Sequence, residues 1–166
     1  HGLLTPATLA VHCVHVTQDD ARILKVRGCS VCLCPRSNDR LDVGRAPAAL
    51  FRRLGIPLAL GTDSLASNDS LSLWDEIRYA LDHYRGELGP DDLLRMATTG
   101  GARALGFAGS IGSLRPGMRA DFQVVRHAIP VDVTDGEFVR IGVVIETAVG
   151  SFSPRRILRF HNKRAA

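Results

Sequence analysis

Three short apolar runs, alternating with helical patterns, constrain this chain more than any other feature. Residues 9–16 form a β-branched run interrupted by His12 and His15, residues 29–34 a second run, and residues 56–60 a third. Between the first two, Thr17 and Asp20 stand at capping distance, and Ala21, Leu24 and Val26 repeat at helical intervals until Gly28. Residues 46–54 predict a second helix, closed by Gly55. Strands that are apolar throughout are covered on both faces, as a parallel sheet between helices requires. The pattern therefore predicts α/β architecture.

The pattern continues less regularly downstream. Pro35 ends the second run, and residues 36–40 form a polar stretch beyond it. Leu71, Trp74, Ile77, Arg78 and Leu81 fall at helical spacing, which assigns Trp74 to packing. From Pro90 onward helices follow one another without strands. Pro90, Asp91 and Asp92 make a good first turn, and Leu93, Leu94 and Ala97 supply an apolar face. Gly100 and Gly101 predict an interruption, with the helix resuming over residues 102–105. Residues 111–117 read as a turn-rich connection, and residues 120–125, 139–148 and 157–160 as short strands. The boundary falls near residue 107, dividing the chain into an α/β part (1–107) and an all-β segment with a basic tail (108–166).

Composition excludes several classes. With 166 residues, 45% of them hydrophobic and 23% charged, the chain has enough apolar material for a core. It is nevertheless far shorter than the about 250 residues of a closed eight-stranded barrel. Four cysteines do not make a disulfide-dense secreted module, so a reducing, cytoplasmic setting is expected. No run of 18 apolar residues and no leader pattern is present, so membrane insertion is not expected. The net charge of +4 is local, because five basic residues lie between Arg155 and Arg164. That tail reads as a solvated end, and nucleic acid is not expected as a partner.

In parallel sheets the chemistry gathers on the loops that follow the strands, which directs attention to His12, to Arg36, Ser37 and Asn38, and to residues 62–68. Asp63 emerges straight after an apolar strand, where it acts either as a loop cap or as a ligand for a divalent cation. His12 suits a metal ligand, a proton shuttle or a satisfied core histidine, and strict alternation would put it on one strand face with Val14 and Val16. Cys29, Cys32 and Cys34 lack the paired spacing of a structural zinc site, and Cys32 with Cys34 fits a buried strand face. Neither Gly100-Gly101 nor Gly109 with Gly112 matches a phosphate-binding loop.

Read together, Val11-His12-Cys13-Val14-His15-Val16, Cys34-Pro35-Arg36-Ser37-Asn38, Gly61-Thr62-Asp63-Ser64-Leu65-Ala66-Ser67-Asn68, and the later turn from Gly112 to Asp121 resemble the amidohydrolase superfamily. Within it they are similar to the aminohydrolases and chlorohydrolases that deaminate adenosine, S-adenosylhomocysteine or guanine, or dechlorinate triazines. The resemblance implies a metal-dependent (β/α)₈ barrel with a small β-sandwich, of which this chain carries strands six to eight and part of the sandwich. It implies that His12, after strand six, contacts the hydrolytic water or substrate. By the same resemblance Asp63, after strand eight, is both the metal ligand and the proton acceptor, and Ser37 and Asn38 shape the site from the loop after strand seven. One divalent metal, zinc or iron, would be the cofactor.

The family's paired histidines after strand one, the histidine after strand five and the proton-donating glutamate have no counterpart in these residues. The resemblance therefore implies a C-terminal piece whose partner is the preceding barrel strands of the same polypeptide; a homo-oligomer is also open. The expected substrate is a small molecule, an adenine-type nucleoside. The form of the Cys34–Asn38 block is similar to aminofutalosine deaminases, in which Arg36 would pair with a carboxylate; its other reading is a salt bridge. S-adenosylhomocysteine or adenosine, guanine and triazines are the alternative substrates, and an inactive scaffold-like fragment is the non-enzymatic alternative.

Overall fold

The computed structural model describes residues 2–121. The strands expected beyond residue 121, and with them most of the sandwich segment and the basic tail, lie outside the described residues.

The three apolar runs form a parallel sheet in the order β1 (Leu9–Val11), β2 (Ser30–Leu33) and β3 (Leu58–Leu60). Register pairs Val11 with Cys32, and Cys32 with Ala59. One further ladder bond follows each outer strand: the His12 N–H donates to the Cys32 carbonyl and the Gly61 N–H to the Leu33 carbonyl, both at 2.9 Å. All strands run the same way, so the segments after them emerge at one edge of the sheet. All four β2 positions are buried, as a strand covered on both faces must be.

Connecting helices cover the sheet. Helix α1 (Gln18–Val26) starts on a complete capping box, with Thr17 and Asp20 each bonding the other's backbone N–H. It buries Ala21 and Leu24. Helices α2 (Pro35–Arg40) and α3 (Ala48–Arg53) follow β2, and α4 (Leu73–His83) follows β3. Then α5 (Pro90–Arg95) runs into a π-helical turn, Met96–Gly100, and on into α6 (Gly101–Ala104). Val31, Leu33 and Leu60 pack with Phe51, Ile77, Tyr84 and Leu93 in the main core, and Trp74 packs against its margin. Side chains as completely buried as Phe51 and Leu93 each stabilise the fold by about 2 kcal/mol. Cys32, Cys34 and Ala59 form a second, smaller cluster.

Three local expectations are corrected. Strand β1 stops at Val11, because His12 and Cys13 adopt φ of 66° and 52°, outside the extended region. His12 therefore leaves the strand instead of alternating with Val14 and Val16. The polar stretch after Pro35 is helical, with proline supplying the preset φ of a first helical turn. Gly100 and Gly101 do not interrupt the last helix. The chain passes through Gly100 at the end of the π-helical turn, where a side chain would collide with the Leu58 carbonyl oxygen, and through Gly101 at the start of α6. Gly100 permits close approach of helix to strand and does not mark a break.

Candidate active site

Asp63 stands two residues after Gly61, in the segment following β3, with φ of 61°. An L-residue adopts this left-handed conformation at a cost of about 1–2 kcal/mol, so the surrounding contacts must hold it there. Two hydroxyls do so: Ser37 Oγ donates to Asp63 Oδ2 at 2.7 Å, and Ser67 Oγ donates to the same oxygen at 2.9 Å. The hydroxyls of Ser37 and Ser67 are themselves 2.8 Å apart. Donation from Ser37, then from Ser67, favours the ionised form and holds the Asp63 carboxyl below the usual carboxylate range. The side chain is about one-third exposed, at 32%, so its charge is not sealed in the core.

His12 faces this carboxylate, with Nε2 3.7 Å from Asp63 Oδ2. Its other nitrogen, Nδ1, lies 2.8 Å from Asn38 Oδ1. An amide oxygen only accepts, so Nδ1 is the donor in this contact, and in the neutral ring it is Nε2 that offers a lone pair. Ser37 and Asn38 are adjacent in α2 and both buried. One turn of helix thus holds both sides of the pair, Ser37 on Asp63 and Asn38 on His12.

The other candidate, Arg36, has its backbone N–H on Glu76 Oε1 at 2.9 Å, while Nη2 donates to Asp69 Oδ1. Nη1 is buried and has no hydrogen-bond partner among the described residues. The structure therefore brings together His12, Ser37, Asn38 and Asp63, with Arg36 engaged at the margin. A cavity of about 500 Å³ opens beside His12 and Asn38, lined also by Val14, Val16, Leu41 and Val43. Asp63 does not line it.

Residue-by-residue reasoning had passed over Ser67, Asn68 and Glu76. Asn68 Nδ2 donates to the Thr62 carbonyl at 2.8 Å and to Glu76 Oε2 at 3.2 Å. Asn68 and Ser67 belong to the loop block already marked by its polarity. Glu76 carried no such signal, because one acidic residue in a helix usually marks its solvated face.

The donor set fits part of a divalent-metal site. A carboxylate with two hydroxyls on one oxygen and, among the described residues, no side-chain donor on the other, beside a histidine whose Nε2 faces it, has the right chemistry. Among the described residues, no group of three or more His, Cys, Asp or Glu stands ready to hold an ion.

With this geometry established, the amidohydrolase family model matches residues 1–150. The chain belongs to the amidohydrolase family. It is 43% identical over 140 residues to the 5-methylthioadenosine/S-adenosylhomocysteine deaminase of Syntrophobacter fumaroxidans, covering 78% of this chain and 32% of that protein. The deaminase of the same name from Acetivibrio thermocellus is 36% identical over 141 residues, covering 79% of this chain and 33% of that protein. Among solved structures, a zinc-bound adenosine deaminase from Xanthomonas campestris superposes with a TM-score of 0.66 at 40% identity, covering 72% of this chain and 29% of that chain. The zinc-complexed atrazine chlorohydrolase of Arthrobacter aurescens superposes with a TM-score of 0.67 at 29% identity, covering 73% and 28%. The chain spans about a third of the length of the curated relatives it matches. Its small parallel sheet is a fragment of the architecture of that family. No helix among the described residues is long and apolar enough to cross a membrane.

Proposed function

We propose that this chain supplies the closing strands, six to eight, of a (β/α)₈ deaminase that hydrolyses the amine from an adenine-type nucleoside. Substrates of the 5-methylthioadenosine/S-adenosylhomocysteine class are favoured over aminofutalosine by the names of the relatives. The observation that carries the reading is the Asp63–His12 pair at one sheet edge, held from α2 by Ser37 and Asn38. A divalent metal, zinc by analogy with the zinc-bound neighbours, would be held in part by Asp63 and would supply Lewis acidity to the attacking water.

The residues of this chain then have distinct tasks. His12, fixed with its proton on Nδ1, accepts a hydrogen bond at Nε2 and orients the water toward the amine-bearing ring carbon. Asp63 takes the proton that the water loses on attack and delivers it to the departing amine, which leaves as ammonia. The hydroxyls of Ser37 and Ser67 keep the carboxylate in one rotamer throughout. Arg36 is the residue assigned to a substrate carboxylate, which would take the place of Asp69 on its guanidinium.

The test is ammonia release by the intact, zinc-loaded gene product with 5-methylthioadenosine, S-adenosylhomocysteine and adenosine. Asp63→Asn is expected to lower kcat by at least about 10³-fold. A folded, zinc-loaded protein that turns over none of the three sinks the reading. Arg36→Ala should raise KM for the carboxylate-bearing S-adenosylhomocysteine and spare 5-methylthioadenosine. An equal effect on both would leave Arg36 as the partner of Asp69 alone.

A further inference from the structure

Glu76 is fully buried on the inner face of α4, against the segments that follow β2 and β3. Burial pushes its carboxyl above the usual range, so its presence carries a cost that an apolar side chain would avoid. Both oxygens are engaged by donors. Oε1 accepts the Arg36 N–H at 2.9 Å, and Oε2 accepts Asn68 Nδ2 at 3.2 Å. The first of these is an end group of α2, whose N-cap Cys34 offers no side-chain bond, so a residue of another helix completes the cap.

The two donors are one residue away from the two hydroxyls on Asp63. Arg36 precedes Ser37, and Asn68 follows Ser67; both serines donate to Asp63 Oδ2. Asn68 Nδ2 also holds the Thr62 carbonyl, directly before Asp63. The contacts close a ring: Asp63, Ser37, Arg36, Glu76, Asn68, Ser67 and back to Asp63.

We propose that Glu76 is a positioning residue for Asp63, acting through Ser37 and Ser67 by cross-linking the segments that follow β2 and β3. Only an acceptor at both positions satisfies the ring. A glutamine is nearly isosteric, but however it is turned it sets an N–H₂ against one of the two donors. The consequence for turnover rests on the deaminase reading above, whereas the consequence for metal binding rests only on that part of it which makes Asp63 a metal ligand.

Glu76→Gln in the intact, metal-loaded protein is the test. Expected are a fall in kcat of about tenfold with KM within about threefold of wild type, and a zinc affinity weakened by about tenfold, the range typical of outer-shell partners of a metal ligand. The cobalt(II)-substituted form should show an altered visible absorption band. A variant with a lower Tm but wild-type kcat, zinc affinity and cobalt spectrum overturns the proposal. Should Glu76→Gln fail to fold, Asn68→Ala removes one arm of the ring and is read in the same way; unchanged zinc affinity and cobalt spectrum there overturn it equally. If the wild type binds zinc but deaminates nothing, the functional reading falls, and zinc affinity and the cobalt spectrum still decide the role of Glu76.

Discussion

At the scale of single residues, the site rests on two side chains whose backbones lie in the left-handed region, His12 and Asp63. Neither is glycine, and each is tied to α2 by one hydrogen bond of 2.8 Å or less. Donation from the Ser37 hydroxyl does most to hold the Asp63 pKa down, which gives a signed expectation. For a carboxyl with a lowered folded value, the stabilisation is fully present above the ordinary value of 3.8 and disappears as pH falls through the folded value. Ser37→Ala in metal-free protein should therefore raise the Asp63 pKa toward 3.8 and move the corresponding loss of stability to higher pH. A carboxyl-resolved NMR titration measures the first effect and acid unfolding the second. An Asp63 titration identical in both proteins would remove Ser37 from the role given to it here.

At the scale of elements, what the sequence makes legible depends on whether burial or tertiary contact decides the conformation. The apolar runs of β2 and β3 and the capping box of α1 declare themselves locally, because burial and caps act on neighbouring residues. Helix α2 did not, since Pro35, Arg36, Ser37, Asn38 and Asp39 offer no apolar period. It forms around the Asn38 and Ser37 side chains that bond His12 and Asp63, and around the Arg36 backbone N–H that bonds Glu76, all distant in sequence. Among the site residues, His12 and Asp63 could be singled out by where polar groups interrupt apolar strands. Ser67 and Glu76 could not, because their partners are set by the fold. Gly100 is a similar case: its role is tertiary, and a Cβ there would collide with the Leu58 carbonyl and crowd the Arg95 carbonyl at 2.9 Å. Both obstacles are backbone, which does not yield as a side-chain end would. Gly100→Ala is expected to destabilise the intact protein by about 2–3 kcal/mol, read as a lower urea midpoint at constant slope. Gly109→Ala, with nothing within 4 Å of the new methyl, is the control and should leave the midpoint in place. Equal midpoints for the two variants would show that β3 and the π-helical turn tolerate separation.

At the scale of the whole molecule, the decisive quantity is the number of metal ligands that one stretch of chain can offer. Tight zinc sites use three or four protein ligands, and the loss of even one weakens binding by orders of magnitude. Asp63 and His12 stand 3.7 Å apart at their nearest atoms, with each anchored from behind, so on the reading proposed above the residues described form one wall of a metal site. The same geometry sets the sheet, in which β1 and β3 each have one neighbour among the described strands. If the chain supplies strands six to eight of a longer barrel, as proposed above, the 166 residues alone should bind zinc at least about 10³-fold more weakly than the intact gene product. Because its four cysteines are free thiols that also attract zinc, the comparison needs an internal reference. Calorimetric titration of the chain and of its Asp63→Asn form isolates the part of binding that passes through Asp63, and that part is expected to be small. Tight zinc binding by the isolated chain, abolished by Asp63→Asn, would mean that the wall alone makes a complete site and that the division of ligands argued here is wrong.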